Sequence, residues 1–257
     1  MKKKLIITIA LVLSLFVFIA VILTSVDRKV TRKAKTAFIK GRIAIVIDDW
    51  GYNLNNLEIV EEIKQPLTCA ILPNLNNSGL LAQKLHNFGF EIILHLPMEP
   101  KEKSRLERNT VSTSMSAGQI RSILDQDLAS ILFAKGISNH MGSRITEDSR
   151  VSALIMSEAK KRKLYFLDSF VTPKSVCPLL AKKIQVRFAK RDIFLDNLDD
   201  PVYIKGQIIK LRDLAKKNGQ AIGIGHDRRN TLVALKEAIP QLVKAGYKLV
   251  FVSEIAK

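Results

Sequence analysis

Cysteine and aromatic residues are scarce in this sequence, and each scarcity excludes a class of protein. Two cysteines, Cys69 and Cys177, are too few for a disulfide scaffold, and neither lies in a paired metal-ligand motif. Both are therefore predicted to be buried free thiols. Aromatic residues make up 6% of the chain and no nucleic-acid motif is recognisable. These features argue against nucleic acid as a partner, although the formal net charge is +17.

Charged residues are absent from positions 5–26, whereas the residues on either side are strongly basic. An uncharged run of 22 residues is long enough to span a bilayer. The apolar core of a cleaved signal peptide is shorter and leads to a small-residue cleavage site, and neither feature is clear here. The sequence therefore predicts cytoplasmic lysines and a transmembrane signal anchor over residues 1–26, followed by a basic tether over residues 27–42.

Basic residues flank the predicted anchor on both sides, so charge alone leaves its orientation open. Residues 1–42 contain ten Lys or Arg and one acid, a net charge of +9, and the remaining residues carry +8. Three lysines precede the anchor, and Arg28, Lys29, Arg32, Lys33 and Lys35 follow it. Because the positive-inside rule compares the two flanks, these two groups of charges compete.

Short apolar runs alternate with helical patterns throughout residues 43–257. Runs typical of strands lie at 43–47, 67–72, 90–96, 137–140, 164–167, 186–189, 221–225 and 248–252. Between most of them, apolar residues recur at helical spacing, and several of these stretches close near a glycine. Strands that alternate with helices predict βαβ units and a parallel sheet. Seven or eight such units favour a barrel or a strongly curved sheet over an open, doubly wound one.

Polar residues follow most of the predicted strands. They are Asp48-Asp49, His95, Asn139-His140, Asp168-Ser169, Asp192 with Asp196, and His226. In parallel α/β folds the carboxyl ends of the strands meet at one edge of the sheet, where chemistry collects. Three imidazoles and several carboxylates at one edge form the ligand set that Zn²⁺ or a similar divalent ion prefers.

The two adjacent aspartates fit such a site, although simpler explanations exist. One Asp would suffice to cap a following helix, and a lone histidine at a strand end is often hydrogen-bonded scaffolding. With a metal present, one carboxylate would bind the ion and the other would stay free beside the metal-bound water. Because the metal lowers the pKa of that water, the free carboxylate could take its proton.

Seven short motifs follow one another along the domain. They are IDDWGYN (47–53), AILPN (70–74), HLPMEP (95–100), NHMGSR (139–144), FLDS (166–169), KRDIFLDN (190–197) and IGIGH (222–226). In this order they resemble the divergent polysaccharide deacetylases, relatives of the NodB-type carbohydrate esterases. The resemblance covers nearly all of residues 43–255. It implies an α/β fold, a deformed (β/α)7-type barrel, with a deacetylase domain over residues 43–257 behind the N-terminal transmembrane helix.

The resemblance also implies roles for individual residues. In the family pattern the first Asp of the doublet is the general base and the second binds the metal, so Asp48 corresponds to the base and Asp49 to a ligand. His95 matches the first histidine of a His-Ser/Thr-x-x-His motif, whereas Glu99 stands four residues later, where a second histidine is expected. The missing ligand is assigned to His140, with Glu99 as the alternative.

The last motif and the remaining polar residues complete the predicted site. His226 in IGIGH matches the general acid of the family. Asp168 is predicted to orient His226 or to bind substrate. Residues predicted to contact substrate or to support the metal ligands are Glu99, Asn139, Arg144, Asp168, Asp196 and Asn197.

The function implied is a metal-dependent hydrolase that removes acetyl groups from N-acetylated envelope polysaccharide, with a metal-bound water as nucleophile and zinc as the expected metal. The alternative, from a different class, is a non-catalytic barrel that binds a glycan or another envelope partner. The resemblance, rather than the flanking charges, places the domain on the periplasmic side of the cytoplasmic membrane, attached through the N-terminal helix. Secretion after cleavage is the alternative location.

Overall fold

The structure, a computed structural model, describes residues 15–19 and 39–257. Residues 15–19 are helical, and no helix within the described ranges is long and apolar enough to cross a membrane. The rest of the predicted anchor and nearly all of the predicted tether lie outside the described residues, so both remain predictions. Residues Ile39–Lys257 form one compact unit. This unit supplies all the buried apolar side chains of the described chain and so has its own hydrophobic core.

Nine strands lie in this unit, and each of the eight predicted strand segments overlaps one of them. The strands are β1 (Gly41–Trp50), β2 (Thr68–Ile71), β3 (Glu91–Met98), β4 (Gly136–Met141), β5 (Tyr165–Asp168), β6 (Phe188–Lys190), β7 (Ile193–Phe194), β8 (Gln220–His226) and β9 (Tyr247–Val250). The two-residue strand β7 was not predicted, because so short a segment leaves no periodic pattern.

Seven helices connect the strands, and local sequence signals fix several of their ends. They are α1 (Leu57–Glu61), α2 (Ser78–Asn87), α3 (Ala117–Ser130), α4 (Ser149–Lys161), α5 (Cys177–Ile184), α6 (Pro201–Asn218) and α7 (Arg229–Lys244). Ser116 and Gln119 form a capping box at the start of α3, and Asp148 and Asp200 cap α4 and α6. Gly219 ends α6 with a left-handed backbone (φ 79°), which glycine adopts without strain.

The strands form one parallel sheet in the order β6-β5-β4-β3-β2-β1-β8-β7. Strand β1 is central: it pairs with β8 on one side, and on the other with β9 along its first residues and β2 along its last. The result is a parallel-sheet half-barrel with helices, in line with the barrel that the resemblance implies. The end strands of the order, β6 and β7, are not paired with each other in the described sheet.

The two faces of the sheet are buried differently. Alternate residues of β1, including Ile43, Ile45 and Ile47, belong to a large apolar cluster that contains the inward faces of the helices. The intervening residues, Ala44 and Val46, belong to a smaller cluster made of strand residues and the C-terminal segment. Helices therefore cover one face of the curved sheet, and the second face forms the inside of the half-barrel. Both cysteines are buried free thiols, as predicted.

Candidate active site

Strand alternation brings four of the predicted site residues to the inside of the half-barrel. Successive side chains of a strand point to opposite faces, so a residue two or four positions from an inner residue is itself inside. Asp48 follows Val46 at this spacing, His95 follows Ile93, and His226 follows Ile224. Ile137 of β4 packs under the helices. His140 is three positions further along the same strand, an odd number, so its side chain lies on the opposite, inner face.

Asp49 reaches the same place by a different route. Asp49 is two positions after Ile47, whose side chain faces the helices. In a regular strand its carboxylate would therefore face the helices too, away from that of Asp48. The backbone of Asp49 instead enters the left-handed region (φ 66°), and the pairing of β1 with β2 shifts register between Ile47 and Trp50. This irregularity turns the second carboxylate toward the first.

Asp49, His95 and His140 form a candidate metal centre. Oδ1 of Asp49 lies 2.9 Å from Nδ1 of His140 and 3.2 Å from Nε2 of His95. One ligand atom from each of the three residues lies within 4.8 Å of the others. On its other side, Nδ1 of His95 lies 2.7 Å from Oγ of Ser138, which fixes the ring with Nε2 toward the carboxylates. These are the three residues assigned as ligands from the sequence.

Burial and paired charges perturb the acid–base groups of this cluster. Burial alone would raise the pKa of Asp49, but the hydrogen bonds from His140 and His95 outweigh it and hold that pKa well below its ordinary value. Burial would likewise lower the pKa of His95, yet the negative charges of Asp48 and Asp49 raise it. The cluster therefore favours an ionised Asp49.

Asp48 differs from its neighbour in its surroundings. Its side chain is buried, and burial raises its pKa above the ordinary value despite the nearby imidazoles. Oδ2 lies 3.6 Å from Nε2 of His95, and Oδ1 is buried without a hydrogen-bond partner among the described residues. A carboxylate with a free oxygen beside the ligand cluster is suited to accept a proton there.

His226 is held by Asp196 at the end of β8. Nδ1 of His226 lies 2.8 Å from Oδ1 of Asp196, whose Oδ2 accepts hydrogen bonds from the His226 backbone N–H at 2.7 Å and from Oγ1 of Thr231 at 2.7 Å. Burial would lower the pKa of His226, but Asp196 outweighs it and raises that pKa. Strand β8 pairs His226 directly with Asp48, so the two groups lie side by side next to the ligand cluster.

Arg191 is a site residue that the sequence analysis did not select. Its Nε donates to the carbonyl of Ser169 at 2.6 Å, a second N–H donates to the carbonyl of Phe170 at 2.7 Å, and the guanidinium lies 3.6 Å from the centre of the Phe194 ring. That ring in turn stacks on His226, with centroids 6.0 Å apart. Arg191 lies in the quoted KRDIFLDN segment, but its position beside a strand end gave no separate signal.

Glu99 points away from the metal centre. Oε1 accepts from Nε of Arg144 at 3.1 Å, and Oε2 accepts from the N–H and the hydroxyl of Thr113 at 2.8 and 2.9 Å. Glu99, directly after β3, and Arg144, shortly after β4, are therefore paired with each other. The structure brings His140, rather than Glu99, to Asp49 and His95.

Three other predicted residues lie outside the cluster. By strand alternation, Asp168 lies on the helix-facing side of the sheet. Its carboxylate accepts hydrogen bonds from the Phe170 N–H at 2.8 Å and from the Ser175 hydroxyl at 2.7 Å. It therefore shapes a loop and does not orient His226, a role that Asp196 fills. Asn139 is buried and accepts a hydrogen bond from the Ser169 N–H at 2.8 Å. Asn197 is exposed next to Asp196.

Comparison of the chain with known sequences finds one family over most of its length. The sequence profile described as divergent polysaccharide deacetylase matches residues 45–256. The Escherichia coli K12 protein YibQ, which is uncharacterized, is 35% identical over 204 residues. That match covers 79% of this chain and 64% of YibQ, so the chain spans a little under two thirds of this relative.

Comparison with solved structures finds the same fold. An uncharacterized protein from Agrobacterium tumefaciens C58 superimposes with a TM-score of 0.80 at 24% identity, over 84% of this chain and 89% of that one. The Bc1960 peptidoglycan N-acetylglucosamine deacetylase superimposes with a TM-score of 0.54 at 13% identity, over 85% of this chain and 88% of that one. At these identities the likeness shows the fold alone.

Proposed function

Because this chain belongs to the divergent polysaccharide deacetylase family, we propose that it is a metal-dependent hydrolase that removes acetyl groups from N-acetylated envelope polysaccharide. The observation that carries the proposal is the arrangement of five side chains on one edge of the sheet. A cluster of two imidazoles and a carboxylate lies beside a buried carboxylate, Asp48, whose strand neighbour is a carboxylate-bound imidazole, His226.

The side chains present fit a divalent metal, with zinc as the proposed ion. Asp49, His95 and His140 would hold it, since two imidazoles and a carboxylate are a donor set that zinc takes in hydrolases. The second nitrogen of His140, Nε2, is buried without a hydrogen-bond partner among the described residues, so it remains available as a ligand atom. When bound, the metal would supply Lewis-acid polarisation of the acetyl carbonyl and a lower pKa for the attacking water.

Asp48 and His226 would divide the proton transfers. Oδ1 of Asp48, which has no partner among the described residues, would accept a proton from the attacking water. Nδ1 of His226 is taken by Asp196, which leaves Nε2 as the atom that would donate a proton to the departing amine. The raised pKa of His226 favours the protonated form that this step needs.

The test combines metal content with acetate release, measured on purified residues 39–257 after zinc loading. Asp49→Ala and His140→Ala are expected to lose the metal that the wild type binds in near-stoichiometric amount, since each removes one ligand. Glu99→Gln is the matched control: it removes a charge four residues from His95 and should keep the metal, because Glu99 bonds to Arg144 and Thr113. Acetate release from acetylated glycans should follow metal content.

A second candidate function is a binding barrel without catalysis. It is favoured by Glu99, which occupies the position of the expected second histidine and is paired with Arg144 instead of joining the cluster. A folded wild type that binds acetylated glycan but takes up no zinc would support this function over the first. Metal uptake without acetate release from any acetylated glycan would overturn the catalytic part of the first proposal and likewise support the binding function.

We propose that the domain lies on the periplasmic side of the cytoplasmic membrane, attached by residues 1–26 and the tether 27–42. The uncharged run of residues 5–26 and the proposed envelope substrate support this location.

A further inference from the structure

The half-barrel leaves an open groove where β6 and the first residues of β8 face each other. Its volume is about 980 Å³, and its walls include β6, the start of β8, Arg42 of β1 and the C-terminal Lys257. The strand edges beside it are already hydrogen-bonded: Phe188 exchanges two backbone hydrogen bonds with Lys257, and the Asp192 carboxylate accepts from the Ile222 N–H. The groove is therefore not a vacant strand position.

The groove is strongly basic. Five cationic side chains line it, and Asp192 is the one acidic side chain among its lining residues. The cations are Arg42, Lys182, Arg187, Lys190 and Lys257. None of the five forms an ion pair with a carboxylate of the described chain, although Arg42 donates to Gln220 at 2.7 Å and Arg187 donates to the carbonyl of Ser253. Much of the domain's excess positive charge is thus collected on one unneutralised surface.

This surface lies away from the candidate active site, toward the opposite edge of the sheet. Arg42 is the second residue of β1, Arg187 directly precedes β6, and Lys257 bonds to the first residue of β6. All three are at strand starts, whereas the candidate catalytic residues are at strand ends. Of the other two cations, Lys182 lies in α5 and Lys190 is the last residue of β6. The chain also enters the domain here, because the exposed residues 39 and 40 lead directly into β1.

We propose that this basic groove binds the phosphate groups of anionic phospholipids and seats the domain on the membrane surface. Clustered Lys and Arg side chains bind phosphate groups, and a domain attached to the membrane as proposed above is held within reach of a dense layer of such groups. The position of the chain entry favours the lipid surface over a dissolved anion, since the predicted tether ends at Arg42 in the groove itself. Seated this way, the catalytic edge faces away from the membrane, toward polymer in the envelope.

The experiment uses residues 39–257, which carry their own core and lack the apolar run that would insert into vesicles by itself. Sedimentation is measured with phosphatidylglycerol vesicles and with phosphatidylcholine vesicles, at low and at high salt. The double variant Lys182→Glu/Lys257→Glu reverses two groove charges, and Lys84→Glu/Lys103→Glu makes the same charge change on exposed residues outside the groove. Circular dichroism checks that each variant is folded. If the Lys182→Glu/Lys257→Glu variant is not folded, Lys182→Gln/Lys257→Gln is measured in its place.

Binding to the anionic vesicles alone, weakened by salt, is the expected result. Each basic side chain near an anionic surface contributes about a factor of five to binding, so the groove variant should bind at least about 25-fold more weakly and the control variant should be little changed. An equal loss of vesicle binding in the groove variant and the control variant would overturn the proposal. So would a wild type that does not bind phosphatidylglycerol vesicles at low salt. Binding of inorganic phosphate in the groove without vesicle binding would assign it to a dissolved anion instead. None of these outcomes depends on deacetylase activity.

Discussion

At the scale of single residues, the backbone of Asp49 decides whether its carboxylate joins the candidate metal centre. A non-glycine residue with φ of 66° costs of order 1–3 kcal/mol, and the surrounding structure must hold it there. Without that turn the doublet would place one carboxylate inside the half-barrel and the other beneath the helices. The irregular residue at the end of β1 thus explains how two adjacent aspartates can serve one site.

Removing the carboxylate that holds His226 should impair turnover while leaving metal binding intact. Asp196→Asn takes away the negative charge that raises the pKa of His226, so a smaller fraction of the imidazole is protonated at neutral pH. We expect kcat for acetate release to fall by about 10²–10³ with unchanged zinc content.

The matched control for this variant is Asp199→Asn, which neutralises an exposed acid three residues further along the same loop. It should keep both kcat and zinc content. An Asp196→Asn enzyme with wild-type kcat would show that the contact with His226 has no part in the reaction.

At the scale of elements, helix α3 is tied to the loop after β2 by a buried carboxylate. Oδ1 of Asp127, near the end of α3, accepts from Nδ2 of Asn74 at 2.6 Å, and its Oδ2 is buried without a partner among the described residues. Burial raises the pKa of Asp127 to about 6, although the hydrogen bond from Asn74 acts in the opposite direction. The charged form is thus unfavourable in the folded protein.

The stability of the domain should therefore depend on pH through Asp127. Because the pKa of this group is higher in the folded chain than in the unfolded chain, its contribution is fully present below about pH 4 and is lost as pH rises to about 6. The wild type should lose unfolding free energy between pH 4 and pH 7 as Asp127 ionises. Asp127→Asn has no carboxylate to ionise, so its loss over the same range should be smaller by about 1–3 kcal/mol. Urea denaturation across that range measures it.

Asp199→Asn again serves as the comparison, since its carboxylate is exposed and its removal should leave the pH profile unchanged. A profile for Asp127→Asn that coincides with the wild type would mean that Asp127 titrates alike in the folded and unfolded chains.

At the scale of the whole molecule, the half-barrel separates two charged regions. The carboxyl edge of the sheet carries the cluster of acidic and imidazole side chains, and the groove near the opposite edge carries unpaired cations. A parallel sheet makes this separation possible, because all strand starts lie at one edge and all strand ends at the other. If the domain is tethered through β1, the candidate active site lies at the opposite edge of the sheet from the attachment.

The proposed location predicts the behaviour of reporter fusions made after residue 42. Alkaline phosphatase, which folds only outside the reducing cytoplasm, should be active, and β-galactosidase at the same position should be inactive. A fusion that begins at residue 27, and so lacks the uncharged run, is the control and should leave alkaline phosphatase inactive. The reverse pattern in the full fusion would remove envelope polysaccharide as the substrate.

Much of the fold and part of the site followed from local sequence. Strand positions could be predicted because parallel strands buried on both faces read as continuous apolar runs. That same property hid which side chains face inward, since a run such as residues 43–47 shows no alternation. Asp168 was therefore given a role that Asp196 has, and Arg191 was not selected although it lies between site loops.

The sequence by itself determined the βαβ order, the family and the polar residues that end the strands, because each of these depends on residues close together in the chain. The tertiary structure alone decided which of those residues meet. The left-handed turn at Asp49 adds a carboxylate to the candidate centre, and the pairing of Glu99 with Arg144 keeps another carboxylate out of it. The end strands β6 and β7 are not paired with each other, and a basic groove lies beside β6. These outcomes depend on backbone direction and on contacts between residues distant in sequence, which local patterns do not encode.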